Sequence, residues 1–358
     1  MLRKLLKILG VVLLVPLFFG LFSLSSQERI NEVVPRKKRS SGKGIYITAA
    51  VSKTKSYFNY IKRQAKRSGI NTIVIDAKRD LEPPVLEMIR QKELKDDSCV
   101  LSNPWLTKLA KDLHRDGFIV TARIVVFKDD HLAIARPDLA VRVKGGGLYR
   151  DFKWGRWVDP YSDEVRLYNE KIAEIAALSG VDEVQFDYIR FPAEGNYRDA
   201  CYEFDREGVS RVDIICRFLS DVKNNLKKYN ISLGVDIFGV TAWQNEYDIK
   251  GLGQDLKKMS EYIDVLSPMF YPSHFHSGYD GYENPGEHPY YFVDTGVRRA
   301  KMILGKTRVK IIPWIQGFDL RSPNFGPEYI IAQTRACPEG FLVWNAANNY
   351  SVTFSALR

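Results

Sequence analysis

The sequence predicts an α/β fold, a (β/α)8 (TIM) barrel preceded by an N-terminal hydrophobic segment. From Gly44 onward, eight short apolar, β-branched runs alternate with helical patterns. Their starts lie 27 to 64 residues apart, room for a crossover helix each time. Eight such units in the 315 residues 44–358 match the size of that barrel. A doubly wound open sheet is the alternative, but it would carry a Gly-rich phosphate loop after its first strand. That position reads Thr48-Ala49-Ala50-Val51-Ser52.

In chain order, Arg3, Lys4 and Lys7 precede an uncharged apolar stretch over residues 8–24. A basic region followed by an apolar one is the layout of a secretory signal. Its 17 residues, with Gly10, Pro16 and Gly20 inside, are at the short limit for crossing about 30 Å of hydrocarbon. Residues 1–25 therefore read as a signal peptide or a membrane anchor. Residues 26–43 read as a basic linker, its Pro35-Arg36-Lys37-Lys38-Arg39 run being a solvated tether beside lipid headgroups. Residues 44–358 are the barrel. The expectation is an exported protein, tethered to the membrane by its leader or secreted.

The strands are expected at 45–49, 72–76, 119–125, 183–188, 232–237, 265–270, 309–315 and 341–345. A helix is expected over 54–68, with Tyr57, Ile61 and Ala65 inward and Gly69 as its stop. Another is expected over 163–178, with Ser162 as N-cap and Val165, Tyr168, Ile172 and Ile175 inward. Cys216 falls on the apolar stripe Val212, Ile215, Leu219, Val222, Leu226 and reads as core. The other cysteines, Cys99, Cys201 and Cys337, show no C-x-x-C spacing, which disfavours a zinc or thioredoxin-like site. In an exported chain disulfides are compatible with these residues, with the pairing open.

The charge of +10, from 53 Lys+Arg against 43 Asp+Glu, is concentrated at one end. Residues 1–43 hold nine basic and two acidic residues, which leaves +3 for the rest. The barrel therefore lacks the basic stripe of a nucleic-acid binder. With 45% hydrophobic and 27% charged residues, the chain is neither disordered nor collagen-like nor a coiled coil.

In such barrels function sits at the carboxyl ends of the strands, where alternate residues point inward. Alternation sends Asp76, Arg123, Asp187 and Asp236 to one mouth. Charges gathered there need mutual pairing or a ligand. Aromatics crowd the following loops: Tyr149, Phe152, Trp154 and Trp157, then Tyr271, Phe275, Tyr279, Tyr282, Tyr290, Tyr291 and Phe292. Trp314, Gln316, Trp344 and Asn345 end the last two strands. Rings that pack on sugar faces, amides for hydroxyls and paired carboxylates together describe a carbohydrate cleft. Glycoside hydrolysis needs one carboxyl group as acid and a second as nucleophile or base. Asp187 and Asp236 fit that need, with Arg190 placed to keep one ionised. Asp76, Arg123, Arg190, Tyr271, His274, Trp314, Gln316, Trp344 and Asn345 are expected to bind substrate.

A rival chemistry is a metal-dependent deacetylase using His274 or His276 with an Asp. Another is a glycan-binding barrel without catalysis. No H-E-x-x-H, G-x-S-x-G or Walker loop is present. No metal or cofactor is expected.

With these residues in view, the chain resembles a bacterial family of glycosyl-hydrolase-like (β/α)8 barrels, formerly a domain of unknown function. The matching segments include Gly44-Ile45-Tyr46, the run from Ala122 to Asp129, Trp157-Val158-Asp159-Pro160-Tyr161 and the run from Val181 to Pro192. Further ones are Val235-Asp236-Ile237-Phe238-Gly239, the run from Ser267 to His274, Pro313-Trp314-Ile315-Gln316 and Val343-Trp344-Asn345. The resemblance implies a barrel, a polysaccharide substrate and a site near Asp187. Two positions depart from the family pattern: Ile312 stands where Arg is expected, and Gly317 where Asp is expected.

Overall fold

A computed structural model describes residues 38–358. Residues 1–37, and with them the signal or anchor segment, lie outside the described residues. Among the described residues no helix is long and apolar enough to cross a membrane.

Eight parallel strands close into a barrel. They are β1 (Lys43–Thr48), β2 (Thr72–Asp76), β3 (Ile119–Val125), β4 (Glu183–Asp187), β5 (Ser232–Phe238), β6 (Val265–Phe270), β7 (Lys310–Ile311 and Trp314–Gln316) and β8 (Phe341–Trp344). Each pairs with the next, and β8 returns to β1 through Ile45↔Val343. The strand expected over 309–315 is broken at Ile312-Pro313, because Pro313 has no N–H to donate. Its carbonyl still accepts from the Leu342 N–H at 2.8 Å. A two-stranded antiparallel ribbon, Arg142–Val143 with Ala200–Cys201, lies in the loops above the mouth.

The two-residue period of each strand sorts its side chains into two apolar layers. Ile45, Ile73, Ile75, Ala122, Ile124, Val184, Phe186 and Val235 face outward to the helices. Tyr46, Val74, Val265, Ile312, Trp314 and Leu342 fill the lumen. This is the inward and outward assignment that strand alternation predicts.

The helix expected over 54–68 spans Lys55–Arg67 and buries Phe58, Ile61 and Ala65. Tyr57 is 38% exposed, one position off the buried face, and its hydroxyl donates to the Asn348 carbonyl. The helix Asp163–Leu178 has the expected bounds, with the Ser162 hydroxyl accepting from the Val165 N–H. Cys216 is buried within the helix Arg211–Leu226, and all four cysteines are free thiols.

The end of the linker is not a solvated tether where it is described. Lys38 pairs with Asp264 at 2.8 Å, the Arg39 carbonyl accepts from the Ser232 hydroxyl, and Ser41 is buried. Both the N–H and the hydroxyl of Ser41 donate to Glu183, the first residue of β4, at 2.8 and 2.7 Å. Residues 38–41 thus cap the floor of the barrel, opposite the mouth. Burial raises the Glu183 pKa to about 7, against the lowering effect of these two donors.

Candidate active site

A cleft of about 460 Å3 opens at the carboxyl ends of the strands, a volume typical of small-ligand sites. Asp187 and Asp236 stand in it side by side. The register Phe186↔Val235 makes them the next inward residues on neighbouring strands. Both are almost fully buried, yet their surroundings differ sharply.

Asp187 is held by one cation and one backbone N–H donor. Its Oδ2 accepts from Arg123 through Nε at 3.1 Å and through a second guanidinium nitrogen, and its Oδ1 accepts from the Tyr188 N–H. Tyr188 has φ 52°, a left-handed conformation uncommon for a bulky aromatic residue. It ends the strand one residue earlier than expected and turns the chain away directly behind the carboxylate. Arg123 also meets Asp76 at 3.2 Å, and Asp76 in turn accepts from the Tyr46 hydroxyl at 2.8 Å. The guanidinium lies 5.2 Å from the Trp344 ring centroid and 5.7 Å from that of Tyr46. Burial opposes its charge, but Asp187 and Asp76 outweigh burial, and its pKa stands well above the ordinary value.

Asp236 has a neutral partner. Its Oδ1 accepts from the Trp314 indole N–H at 2.7 Å, while its buried Oδ2 has no partner among the described residues. Burial, and then the negative charge of Asp187, push its pKa well above the ordinary carboxylate range. Burial and the neighbouring carboxyl group thus favour the protonated form of Asp236.

The expected site residues divide into three groups. Arg123, Arg190, Tyr271, His274, Trp314 and Trp344 line the cleft beside the two aspartates. Asp76 lies just outside and pairs with Arg123. Gln316 and Asn345 do not reach the cleft, a correction with a clear physical cause. Gln316 is wholly buried, accepting from the Ser273 N–H and donating to the Phe318 carbonyl and the Ser322 hydroxyl. Asn345 donates to the Gly317 carbonyl and accepts from the Ala347 and Asn349 N–H groups, so its amide fastens a turn.

Arg190 makes no hydrogen bond to either aspartate. It pairs with Glu194 at 2.8 Å and packs 4.1 Å from the Phe238 ring centroid, whereas the cation paired with Asp187 is Arg123. Glu194, Lys153, Tyr188 and Phe238 also line the cleft, and sequence reasoning missed them. Phe238 follows Asp236 by two residues and was accessible to the alternation rule. The spacing of Arg190 and Glu194 was a weaker signal.

Of the loop aromatics, Tyr271, Phe275, Trp314 and Trp344 reach the cleft. Tyr149, Trp157 and Phe292 are wholly buried packing residues. Tyr282 and Tyr291 pack on each other and on Phe292. Loss of surrounding water, followed by the charges of Arg321 and Lys153, lowers the pKa of His274 and favours a neutral imidazole. His276 is exposed, and its Nδ1 bonds to the Ser277 carbonyl. Among the described residues no three His, Cys, Asp or Glu side chains are grouped to hold a metal ion.

Residues 44–350 match the family model described as Putative glycosyl hydrolase domain. The chain belongs to this family of glycan-acting hydrolases. No curated protein matches it. Among solved structures, the PgaB (BpsB) glycoside hydrolase domain from Bordetella bronchiseptica is 12% identical with a TM-score of 0.58, covering 89% of this chain and 98% of that one. That likeness shows the barrel fold. A hypothetical protein from Ruminiclostridium thermocellum ATCC 27405 is 28% identical with a TM-score of 0.44, covering 54% of this chain and 97% of that one.

Ile312 and Gly317, the two positions at which the resemblance implied other residues, are both tightly packed. Ile312 is a buried member of the lumen core. At Gly317, a Cβ would lie 2.4 Å from the Val343 Cγ1 and 2.9 Å from the Trp344 carbonyl oxygen, so no larger residue fits without moving β8.

Proposed function

We propose that this barrel cleaves a polysaccharide by general acid catalysis, with Asp236 as the acid and Asp187 as the carboxylate that attacks the anomeric carbon. The observation that carries this reading is the contrast between two neighbouring carboxyl groups. One is clamped by Arg123; the other is dry, its buried Oδ2 without a partner among the described residues, beside a ligand-sized cleft. Asp236 gives its proton to the glycosidic oxygen as the bond to the anomeric carbon breaks. Asp187 bonds to that carbon from the opposite face; Asp236 then removes a proton from an incoming water, whose oxygen bonds to the anomeric carbon as the bond to Asp187 breaks and frees the carboxylate. Trp314 fixes the Asp236 carboxyl, while the half-buried Trp344 ring offers an apolar face to the sugar.

The sequence of basic and apolar residues over 3–24 supports action on exported or cell-wall glycans. The test is release of new reducing ends from cell-wall polysaccharides and exopolysaccharides. Asp236→Asn is expected to lower the rate roughly 10²–10⁴-fold, and Asp187→Asn to abolish turnover. Folded wild-type protein that releases no reducing ends, or an Asp187→Asn variant that retains the wild-type rate, would overturn the assignment.

A further inference from the structure

Outside the cleft, two aromatic side chains stand in the open with no packing role to explain them. Phe152 is 80% exposed and Trp154 75% exposed. Large apolar groups on a soluble surface are ordinary when scattered singly, but two on one turn form a patch that invites a partner.

The turn that carries them is firmly built. Buried Asp151 accepts at Oδ1 from the Lys153 and Gly155 N–H groups at 2.9 and 3.0 Å, and its carbonyl accepts from the Trp154 N–H. Its Oδ2 pairs with Lys128 at 2.6 Å and accepts from the Trp157 indole at 3.2 Å. Arg150 donates to the Trp154 carbonyl, with its guanidinium 6.0 Å from the indole centroid. Trp154 itself is held at φ 62°, a conformation that costs a non-glycine residue energy and persists only where its surroundings enforce it.

Position supplies the partner. Lys153, between the two rings, lines the catalytic cleft, and so does Glu194. A rim groove is lined by Arg150, Asp151, Phe152, Trp154, Gly195 and Asn196. Cleft and groove are thus walled by consecutive residues of the same two loops. At Gly195 (φ +71°) a Cβ would lie 2.8 Å from the Arg150 carbonyl oxygen, so these loops meet backbone to backbone. The exposed rings thus adjoin the part of the cleft lined by Lys153 and Glu194, within reach of a chain that extends beyond it.

We propose that Phe152 and Trp154 form an outer stacking subsite that binds sugar units of the same polysaccharide several residues away from the bond being cut. The inference rests on the hydrolase reading of the cleft and adds to it: the substrate is a long chain cut internally, and very short oligomers are poor substrates. The rings are binding residues remote from the reacting atoms.

The test uses the full chain and a panel of peptidoglycan fragments, chitin oligomers and soluble bacterial exopolysaccharides, with size-fractionated oligomers of whichever member is cleaved. The Phe152→Ala/Trp154→Ala variant should melt at the wild-type temperature, since both side chains are exposed. Its KM on the polymer should rise about ten-fold, as expected for two lost ring contacts. Its activity on the shortest cleavable oligomer should be unchanged, and Trp154→Tyr should restore most of the loss. In gels containing the polymer, the wild type should be retarded and the double variant should not. Equal KM values for polymer and oligomer in both proteins would overturn the subsite and leave the hydrolase reading standing. Wild-type protein that neither cleaves nor binds any member would overturn both. Concentration-dependent dimerisation that the double variant abolishes, without any effect on KM, would replace the glycan with a second copy of the chain.

Discussion

Asp236 is the residue whose chemistry is most shaped by its place. Its pKa is raised by burial and then by Asp187, so its protonated form is favoured in the folded state. The associated stability is fully present below the unfolded carboxyl pKa of about 3.8 and is lost as pH rises through the higher folded value. Asp236→Asn is therefore expected to be more stable than wild type at neutral pH, with the difference shrinking as pH falls toward 4. Urea midpoints at several pH values measure this. The Trp314 indole lowers the same pKa by donating to the carboxylate. Trp314→Phe should accordingly move the alkaline limb of the pH–rate profile to higher pH, because the acid keeps its proton longer. A limb that stays put would separate the measured ionisation from Asp236.

Between residue and barrel, strand alternation carried most of what was legible. Asp76, Arg123, Asp187 and Asp236 face inward because each is two residues beyond an inward neighbour, and no tertiary information is needed to say so. The same rule over-reached at β7, where Gln316 continues the inward count. There Gln333, from the helix Pro327–Arg335, exchanges two hydrogen bonds with the Gln316 backbone and draws the strand end into the wall. The Lys153 and Glu194 positions depend on how two long loops meet, which no local pattern encodes. Arg190 looked like the partner of Asp187 because it is near in sequence, whereas Arg123 lies on the adjacent strand and points the same way. Gly317→Asp is expected to cost about 1–3 kcal/mol through overpacking, readable as a lower denaturation midpoint without a changed m-value. A variant as stable as wild type would mean that β8 yields at Val343.

For the molecule as a whole, closure of the barrel fixes the geometry of the chemistry. Neighbouring strands lie about 4.8 Å apart, and the register Phe186↔Val235 sets the backbones of Asp187 and Asp236 at nearly that spacing. Carboxyl groups about 5–5.5 Å apart characterise retaining glycosidases, and about 6.5–9.5 Å inverting ones. Hydrolysis is accordingly expected to retain the anomeric configuration, and proton NMR of the first-formed product distinguishes the two outcomes. The eight-unit architecture was legible from run lengths and spacing alone. The floor was not, because Lys38 to Ser41 look like a polar linker until Glu183 and Asp264 appear beneath them. That floor also sets a practical polarity: a bead or dye coupled at residue 38 sits at the end of the barrel opposite the cleft, so the protein can be immobilised there with its mouth open to polymers too large to enter a porous support.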